Sequence, residues 1–172
     1  MRVVVNNYDP KWIKMYEKEA KLIKDIFKEE LVEIHHIGST SVKGLNAKPI
    51  IDIMPLVKDI KKVDKFNEEM IKIGYEPMGE YGISKRRYFR KGKDGRSHHV
   101  HVFEKDSSQA KRHMAFREYL REHNEIAKEY GNLKEKLADQ YPNDIESYMD
   151  GKNDFIKKHE KLALDWYDKK SK

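Results

Sequence analysis

Two short segments of the chain carry residue types that suit phosphate and metal chemistry. The first holds Gly38 and Ser39 at the predicted end of a strand, and the second holds Asp52 within the apolar run PIIDIMPLV. Glycine lets the backbone approach a ligand closely, and the serine hydroxyl and the N–H groups that follow it, beginning at Thr40, can donate hydrogen bonds to phosphate oxygens. A carboxylate on a neighbouring strand can hold Mg²⁺, which bridges phosphates. The two segments therefore predict a site for nucleotide phosphates.

Each segment also has a purely structural explanation. A Gly-Ser turn between two strands is common and is weak evidence on its own. Asp52 is stronger evidence, because a carboxylate flanked by isoleucines needs a partner or a metal ion if it is buried. We therefore expect Asp52 to be functional.

A third segment, HHVHVFE, predicts a strand with two histidines on one face. His99 and His101 alternate along it, so their side chains point the same way, whereas His98 points to the opposite face and is expected to face solvent. Two imidazoles on one face can form a metal pair or a phosphate clamp. His36, just before the Gly-Ser segment, is a further candidate for the same cleft. The alternative is that one of these histidines only hydrogen-bonds to a neighbouring carbonyl group.

Basic residues near these segments are candidates for phosphate contacts. Residues 85–96 contain seven bases and one acid, Asp94. Arg86 and Arg87 can form bidentate contacts with phosphate. Strand alternation sends them to opposite faces and leaves open which of them faces the cleft. Lys48 precedes the strand of Asp52 and is a further predicted phosphate contact. The alternative for the basic segment is a solvated hairpin.

The spacing of apolar residues predicts the elements that must position these groups. In chain order they are a helix over 10–30, strands over 31–37 and 49–57, a helix over 59–73, strands over 75–78, 85–90 and 98–104, and helices over 109–122, 124–140 and 144–167. An Asp94-Gly95 turn signal makes the last two strands a hairpin. This order predicts an α/β (α+β) fold, with a small mixed sheet, packed helices and a helical C-terminal segment.

Composition limits the class of protein. The chain has 172 residues, of which 38% are hydrophobic and 38% charged, with a net charge of +6 and no cysteine. This length predicts a single domain over 1–172, in which an α/β part (about 1–106) and a helical part (about 107–172) share a core. The absence of cysteine favours a cytoplasmic location, and the first residues do not resemble a signal peptide. Apolar runs are too short for a membrane span, so no membrane partner is expected.

The block HHIGSTSVKGLNAKPIIDI resembles the signature of the GrpB-like family, a branch of the nucleotidyltransferase superfamily. Other pieces, among them VNNYDPKW and HHVHVFE, fall in the order found in the family. The resemblance implies a nucleotidyltransferase-like α/β fold with a helical C-terminal part. It also implies that Gly38 and Ser39 hold nucleotide phosphates and that Asp52 binds a catalytic metal together with an acid two positions later. Met54 stands at that position here, so His99 and His101 are the expected replacements.

These observations predict a nucleotidyltransferase that moves a nucleotidyl group from a nucleoside triphosphate to an acceptor. Mg²⁺ or another divalent metal would be held by Asp52, His99 and His101. The alternative, suggested by Met54, is a non-catalytic module on the same fold that binds a nucleotide or another phosphorylated small molecule. A nucleic-acid partner ranks last, because the sequence has no known nucleic-acid-binding motif and its acidic residues dilute the basic segment.

Overall fold

The computed structural model of the chain describes residues 2–93 and 95–170. In chain order its helices and strands are α1 (Lys11–Phe27), β1 (Leu31–Ile37), β2 (Ile51–Val57), α2 (Asn67–Lys72), β3 (Tyr75–Pro77), β4 (Arg87–Lys91), β5 (His98–Glu104), α3 (Ser108–Glu122), α4 (Asn124–Gln140) and α5 (Ile145–Lys170). Short 3₁₀ segments occupy Lys28–Glu30, Ser39–Ser41 and Ile60–Phe66. The predicted combination of a small mixed sheet, packed helices and a helical C-terminal segment is confirmed.

The chain divides into two compact units, each made of separate segments. The unit that contains the sheet, here called the sheet unit, consists of Lys11–Ile37 and Ile50–Lys111. The other, here called the helical unit, consists of Met1–Pro10, Gly38–Pro49 and Arg112–Lys172. The units divide between Lys111 and Arg112, and no local pattern predicted that the segments before Lys11 and after Ile37 group with the helices. That the whole chain is one domain stays a prediction.

The sheet has five strands in the order β1-β2-β5-β4-β3. The central pair, β2 and β5, is parallel, and the other neighbouring pairs are antiparallel. Ile51 and Ile53 of β2 and Val100 and Val102 of β5 are fully buried. Parallel strands are typically buried and rich in branched apolar residues, which explains why the run PIIDIMPLV predicts its strand well.

One face of the sheet is covered by α1, which packs on β1 and β2. The buried residues of α1 include Trp12, Ile23 and Phe27, and the ring of Phe27 stacks on that of Phe66 with 5.0 Å between centroids. The helix was predicted to continue to residue 30 but ends at Phe27, because Lys28 has a φ of +51°, which an α-helix cannot accommodate.

The predicted helix over 59–73 is a 3₁₀ segment in its first half. Ile60, Val63 and Phe66 are all buried, and their spacing of three residues matches a helix with three residues per turn. Asp59 caps this segment by accepting a hydrogen bond from the N–H of Lys61 at 3.0 Å. Only Asn67–Lys72 is α-helical. The segment predicted as helical over 59–73 is thus helical from Ile60 to Lys72, in two forms.

The strands β4 and β5 form the predicted antiparallel pair, with Tyr88 opposite His101 and Arg90 opposite His99. β4 begins at Arg87, two residues later than predicted, since Lys85 adopts a left-handed φ of +63°. The turn signal that suggested the hairpin includes Asp94, which lies outside the described residues.

In the helical unit, a buried cluster joins the segment 38–49 to the helices; its members are Val42, Leu45, Leu120, Ala127 and Tyr130. The N-terminal segment is held by the N–H of Val3, which donates to the carbonyl of Pro142 at 2.8 Å, and by backbone pairing of Asn6 with Ala47. Within residues 2–93 and 95–170, no helix has both the length and the apolar character that crossing a membrane requires.

A buried ion pair ties α1 to the sheet. The carboxylate of Glu19, which is 4% exposed, accepts hydrogen bonds from Lys91 Nζ at 2.8 Å and from the Tyr75 hydroxyl at 2.9 Å. Burial opposes ionisation, but these two hydrogen bonds and the charge of Lys91 hold the pKa of Glu19 below its usual range.

His98 lies in the same buried layer, so the prediction that it faces solvent was wrong. Its ring is edge-on to that of Tyr75, with 6.4 Å between centroids, and the charge of Glu19 acts on it. Burial lowers its pKa. Alternation along β5 does place it opposite to His99 and His101, but that face is the one covered by α1.

Replacing Glu19 with glutamine is expected to lower the free energy of unfolding by about 2 kcal/mol. The amide keeps the shape of the side chain and an acceptor for Tyr75, but it leaves Lys91 without a carboxylate. Because the pKa of Glu19 is lowered in the folded state, the wild-type contribution is present above the unfolded pKa and is lost as the pH falls through the folded pKa. Urea unfolding should therefore show a smaller difference in stability between wild type and Glu19→Gln in acid than at neutral pH. Glu17→Gln, at an exposed position of α1, is the control and should change little; an equal loss in both variants would contradict this assignment.

Candidate functional site

Asp52 lies on the central strand β2, on the face of the sheet opposite to α1. Its backbone pairs with that of Ile37 in β1 and with that of His99 in β5. Its neighbours Ile51 and Ile53 point to the face covered by α1 and anchor the strand there. The apolar flanks that made Asp52 look buried thus belong to the other face, and the Asp52 side chain is 27% exposed.

The structure brings His99 and His101 to Asp52, as alternation along the strand predicts. His101 Nε2 lies 3.0 Å and His99 Nδ1 3.6 Å from Asp52 Oδ1. The donor atoms of the three residues all lie within 4.8 Å of one another. Both imidazoles retain access to solvent, with side chains that are 26% (His99) and 15% (His101) exposed. We call this group the Asp-His cluster.

The Asp-His cluster holds an ionised carboxylate. Partial burial would raise the pKa of Asp52, but the hydrogen bonds from His101 and His99 and their charge outweigh it, so the pKa lies well below its usual range. A carboxylate stabilised in its charged form is ready to attract a cation or to orient an imidazole. The cluster therefore has the electrostatic character of a site rather than of a buried structural pair.

Arg86 places a positive charge next to His101 of the cluster. Its side chain is largely buried, donates to the carbonyl oxygens of Tyr81 at 3.0 Å and Glu80 at 3.2 Å, and lies over the ring of Tyr88. Burial lowers its pKa. Two neutral carbonyl groups fix the guanidinium in place without neutralising it, which leaves its charge available to an anion.

The position of Arg86 selects the proton arrangement of His101. Arg86 Nη1 lies 3.4 Å from His101 Nδ1, and a guanidinium can only donate. When the His101 ring is neutral, Nδ1 can accept this hydrogen bond, and the ring proton then lies on Nε2, from which it is donated to Asp52. A metal ion bound at Nε2 would have to displace this proton, so the cluster is arranged for either a proton or a cation.

The donor set of the cluster fits a divalent transition metal better than Mg²⁺. The separations of 3.0 and 3.6 Å between Asp52 Oδ1 and the two nitrogens resemble those of ligands that share an ion at about 2.0–2.2 Å. Imidazole nitrogen suits Zn²⁺, Fe²⁺ and similar ions, whereas Mg²⁺ prefers an all-oxygen octahedral site. Met54 supplies no second carboxylate and is fully buried.

Two of the predicted site residues lie away from the cluster. His36 pairs with Ile53 and therefore points to the face covered by α1, where its ring stacks on Tyr16 with 4.7 Å between centroids. Arg87 forms a bidentate pair with Asp64, at 2.7 and 3.3 Å. The expectation that His36 converges on the cleft is thus corrected by the strand register, and Arg87 has a carboxylate partner instead of a free charge.

The Gly-Ser segment belongs to the helical unit. Gly38 has a φ of +74°, which favours glycine, and it precedes the 3₁₀ turn Ser39–Ser41. The turn is closed by Ser41, whose N–H donates to the Gly38 carbonyl at 3.1 Å. Ser39 is half-buried, whereas Thr40 is buried. The geometry explains the need for glycine, and the phosphate contacts expected of Gly38, Ser39 and Thr40 stay predictions.

Lys48, the remaining predicted phosphate residue, also lies in the helical unit. Its Nζ is 5.5 Å from the centroid of the Tyr148 ring. Its role in phosphate binding stays a prediction.

Sequence reasoning missed Tyr88. This residue is buried between the two histidines and Arg86, with its ring centroid 5.6 Å from that of His99 and 5.4 Å from that of His101. Burial and the charge of Asp52 raise its pKa. The strand register, which puts Tyr88 directly opposite His101, was the missing signal, since one sequence does not fix the register of a hairpin.

Replacing Arg86 with methionine is expected to change the affinities for two ligands in opposite directions. Methionine keeps an apolar contact with Tyr88 but removes a positive charge and the donor to His101 Nδ1. The affinity of the cluster for Zn²⁺ should therefore rise by about tenfold. The affinity for a nucleoside triphosphate should fall by roughly the same factor. Titration calorimetry measures both.

The control for this prediction is Arg87→Met, which removes the arginine paired with Asp64 and should change either affinity by less than about twofold. Parallel changes in Zn²⁺ and triphosphate affinity in the Arg86 variant would contradict the assignment.

Comparisons with known proteins find similarity over almost the whole chain. The family model described as "GrpB protein" matches residues 2–162. The crystal structure of conserved protein GrpB from Enterococcus faecalis is 51% identical in sequence and has a TM-score of 0.93, covering 95% of this chain and 99% of that one.

Two curated relatives have similar sequences. The UPF0157 protein YqkA of Bacillus subtilis is 46% identical over 165 residues, which are 96% of this chain and 48% of that protein. The glutamate-rich protein GrpB of Alkalihalophilus pseudofirmus is 36% identical over 159 residues, which are 90% of this chain and 91% of that protein. The chain thus spans about half the length of the first relative and nearly all of the second.

Proposed function

The chain belongs to the GrpB family, and we propose that it transfers a nucleotidyl group from a nucleoside triphosphate to an acceptor with the help of a divalent metal ion. The observation that carries the proposal is the Asp-His cluster, in which an ionised carboxylate on the central strand faces two imidazoles that are open to solvent. The resemblance of the Gly38–Asp52 region to the nucleotidyltransferase superfamily supports the choice of reaction. The predicted setting is the cytoplasm, because the chain has no cysteine.

In this proposal, Asp52, His99 and His101 hold the metal ion. A bound divalent cation lowers the cost of charge that develops on the phosphate oxygens. The sequence suggested Mg²⁺ or another divalent ion. The donor set favours a transition metal over Mg²⁺, so we propose a divalent transition metal as the cofactor. A metal ion at Nε2 would need a neutral His101 ring with its proton on Nδ1, towards Arg86, so metal binding would compete with the contact between Arg86 and His101.

The other proposed residues act on the phosphates. Arg86, fixed by the carbonyl groups of Glu80 and Tyr81, presents a preorganised charge and needs no reorientation as negative charge develops. Gly38, Ser39, Thr40 and Lys48, which lie in the helical unit, stay predicted phosphate contacts. In the reaction, the acceptor oxygen forms a bond to the α-phosphorus, the bond from that phosphorus to the bridging oxygen breaks, and pyrophosphate leaves.

A second candidate function is nucleotide binding without catalysis. It is favoured by the apolar Met54 at the position where the resemblance implies a second metal-binding acid. It is also favoured by the hydrogen bonds with which His101 and His99 already satisfy Asp52. This candidate predicts binding that persists without a divalent metal and gives no turnover.

A transfer assay separates the two functions. The protein is incubated with each of four nucleoside triphosphates labelled at the γ-phosphorus, with Zn²⁺, Mn²⁺ or Mg²⁺, and release of labelled pyrophosphate is followed together with the melting temperature. Metal-dependent pyrophosphate release that is lost in Asp52→Asn supports catalysis. A rise in melting temperature with nucleotide alone and no release supports the binding module. If no triphosphate changes either readout, both functions are excluded.

A further inference from the structure

A buried lysine of the helical unit has no hydrogen-bond acceptor. Lys134 lies on α4 with a side chain that is 2% exposed, and its Nζ has no hydrogen-bond partner in the part of the chain that the structure describes. Nζ lies 4.5 Å from the centroid of the Tyr130 ring. A cation–π contact compensates for only part of the lost hydration of an ammonium group. The position of Lys134 is therefore costly unless a ligand supplies acceptors.

Two further lysines of the helical unit converge on this region. Nζ of Lys48 lies 5.5 Å and Nζ of Lys152 5.2 Å from the centroid of the Tyr148 ring. Burial, together with the positive charges of Lys152 and Lys48, lowers the pKa of Lys134 to about 7. Positive charges around a buried ammonium group further raise the free-energy cost of keeping that group charged.

The hydroxyl of Tyr148 is a second buried group that lacks a partner. Tyr148 lies on α5 with no exposed surface, and its oxygen has no hydrogen-bond partner among the described residues. Burial raises its pKa to about 12, so the hydroxyl keeps its proton and is a donor. An unsatisfied donor beside a group of cations points to an anion as the missing partner.

Close packing of α4 and α5 brings these groups together. Gly151 of α5 lies so near to Leu137 of α4 that a Cβ atom at position 151 would collide with the leucine side chain. Lys152 follows this glycine, and Lys134 lies about one turn before Leu137 on its own helix. The two lysines are near enough for the charge of Lys152 to act on Lys134.

We propose that Lys48, Lys134 and Lys152, together with the Tyr148 hydroxyl, bind the polyphosphate group of a ligand. Three ammonium groups and one hydroxyl match the several charges and many acceptor oxygens of a diphosphate or triphosphate. Lys48 and Lys152 are half-buried and retain access to solvent, whereas Lys134 and Tyr148 are buried.

This inference rests on the proposed function for its ligand class, a nucleoside triphosphate, but it requires no transfer chemistry and involves residues of the helical unit alone. Free polyphosphate is a second source of the same chemical group. The binding test therefore uses inorganic tripolyphosphate, a nucleoside triphosphate and a nucleoside monophosphate, all in the presence of a metal chelator. Failure of the transfer assay leaves this test intact.

Titration calorimetry on the full chain measures the dissociation constants of wild type and variants. Lys134→Met is expected to weaken tripolyphosphate binding by at least about tenfold. Lys136→Met, which removes the same charge from an exposed position of the same helix, should change it by less than about twofold. Tyr148→Phe and Lys152→Met should each weaken binding by roughly threefold to tenfold. The nucleoside monophosphate should bind more weakly than either triphosphate compound.

The proposal is overturned if tripolyphosphate does not bind to wild type, or if Lys134→Met and Lys136→Met bind it equally well. If circular dichroism shows that Lys134→Met is unfolded, Tyr148→Phe and Lys152→Met decide, and unchanged binding in both overturns the proposal. Tighter binding of the nucleoside triphosphate than of tripolyphosphate supports the site and identifies a nucleotide as its ligand. Equal binding supports the site and identifies free polyphosphate.

Discussion

Replacing Asp52 with asparagine is expected to weaken binding of a divalent transition metal by at least about a hundredfold and to lower any nucleotidyl transfer by at least about a thousandfold. The amide has nearly the shape of the carboxylate, so packing around β2 is preserved. It lacks the negative charge that faces His101 and His99 at 3.0 and 3.6 Å, and a neutral amide oxygen is a poor ligand for a transition metal. The expected losses of metal binding and transfer therefore come from the missing negative charge and not from a change in side-chain shape.

The pKa of Asp52 adds a pH signature to this prediction. Because the pKa is lowered in the folded state, the carboxylate contributes stability that is present above its unfolded pKa and is lost only as the pH falls through the folded pKa. The carboxylate therefore remains ionised in mild acid. Loss of metal binding between neutral pH and mild acid would have to come from other groups of the cluster.

The measurement is a Zn²⁺ titration with a competing chelator, followed by the transfer assay. Asp25→Asn, at an exposed position of α1, is the matched control and should behave like wild type. If Asp52→Asn binds Zn²⁺ as tightly as wild type does, the Asp-His cluster is not a metal site.

The second large effect is a gain of stability. Replacing Lys134 with methionine is expected to raise the free energy of unfolding near neutral pH by roughly 3 kcal/mol. Methionine has a similar length and brings no charge into the buried position beside Tyr130. A residue whose removal stabilises the fold is one that the fold does not need, which fits a role in binding.

The gain should depend on pH with a defined sign. The pKa of Lys134 is about 7 in the folded chain, lowered from 10.5, so the unfolded chain binds more protons between these values. Wild-type stability therefore rises with pH across this window. The advantage of the methionine variant is largest below the folded pKa and shrinks towards the unfolded one.

Urea unfolding at several pH values tests this prediction, with Lys136→Met as the control. The control removes a solvated charge and should alter stability by less than about 0.5 kcal/mol at every pH. A methionine variant that is less stable than wild type would show that Lys134 serves the fold itself. A gain that does not change with pH would show that folding does not lower the pKa of Lys134.

The parts of the fold that sequence predicted well are those governed by local spacing. β1 and β5 begin and end where the alternation of residues places them, and α4 has the predicted bounds. The pairing of His99 with His101 on one face follows from alternation alone. The convergence of both on Asp52 required the parallel register of β2 with β5, which no local pattern encodes.

The misses arise from contacts between distant segments. His36 was assigned to the cleft by its position before Gly38, but the register of β1 turns its side chain to the α1 face. His98 was expected in solvent because it opposes His99, although α1 covers that face. No local spacing marked Lys134 as a buried residue. Its burial depends on helix packing around Tyr130 and Tyr148, which appears only when the helical unit is assembled.

The parallel pairing of β2 with β5 has a consequence for how the protein folds. Asp52 and His99 are aligned in that pair although roughly fifty residues separate them along the chain, so closing that long loop must precede their encounter. Hairpins such as β4 with β5 can form early from nearby residues. We therefore expect the metal-binding capacity to emerge late in refolding, after most of the β-structure signal has developed, and to be missing from any fragment that ends before β5.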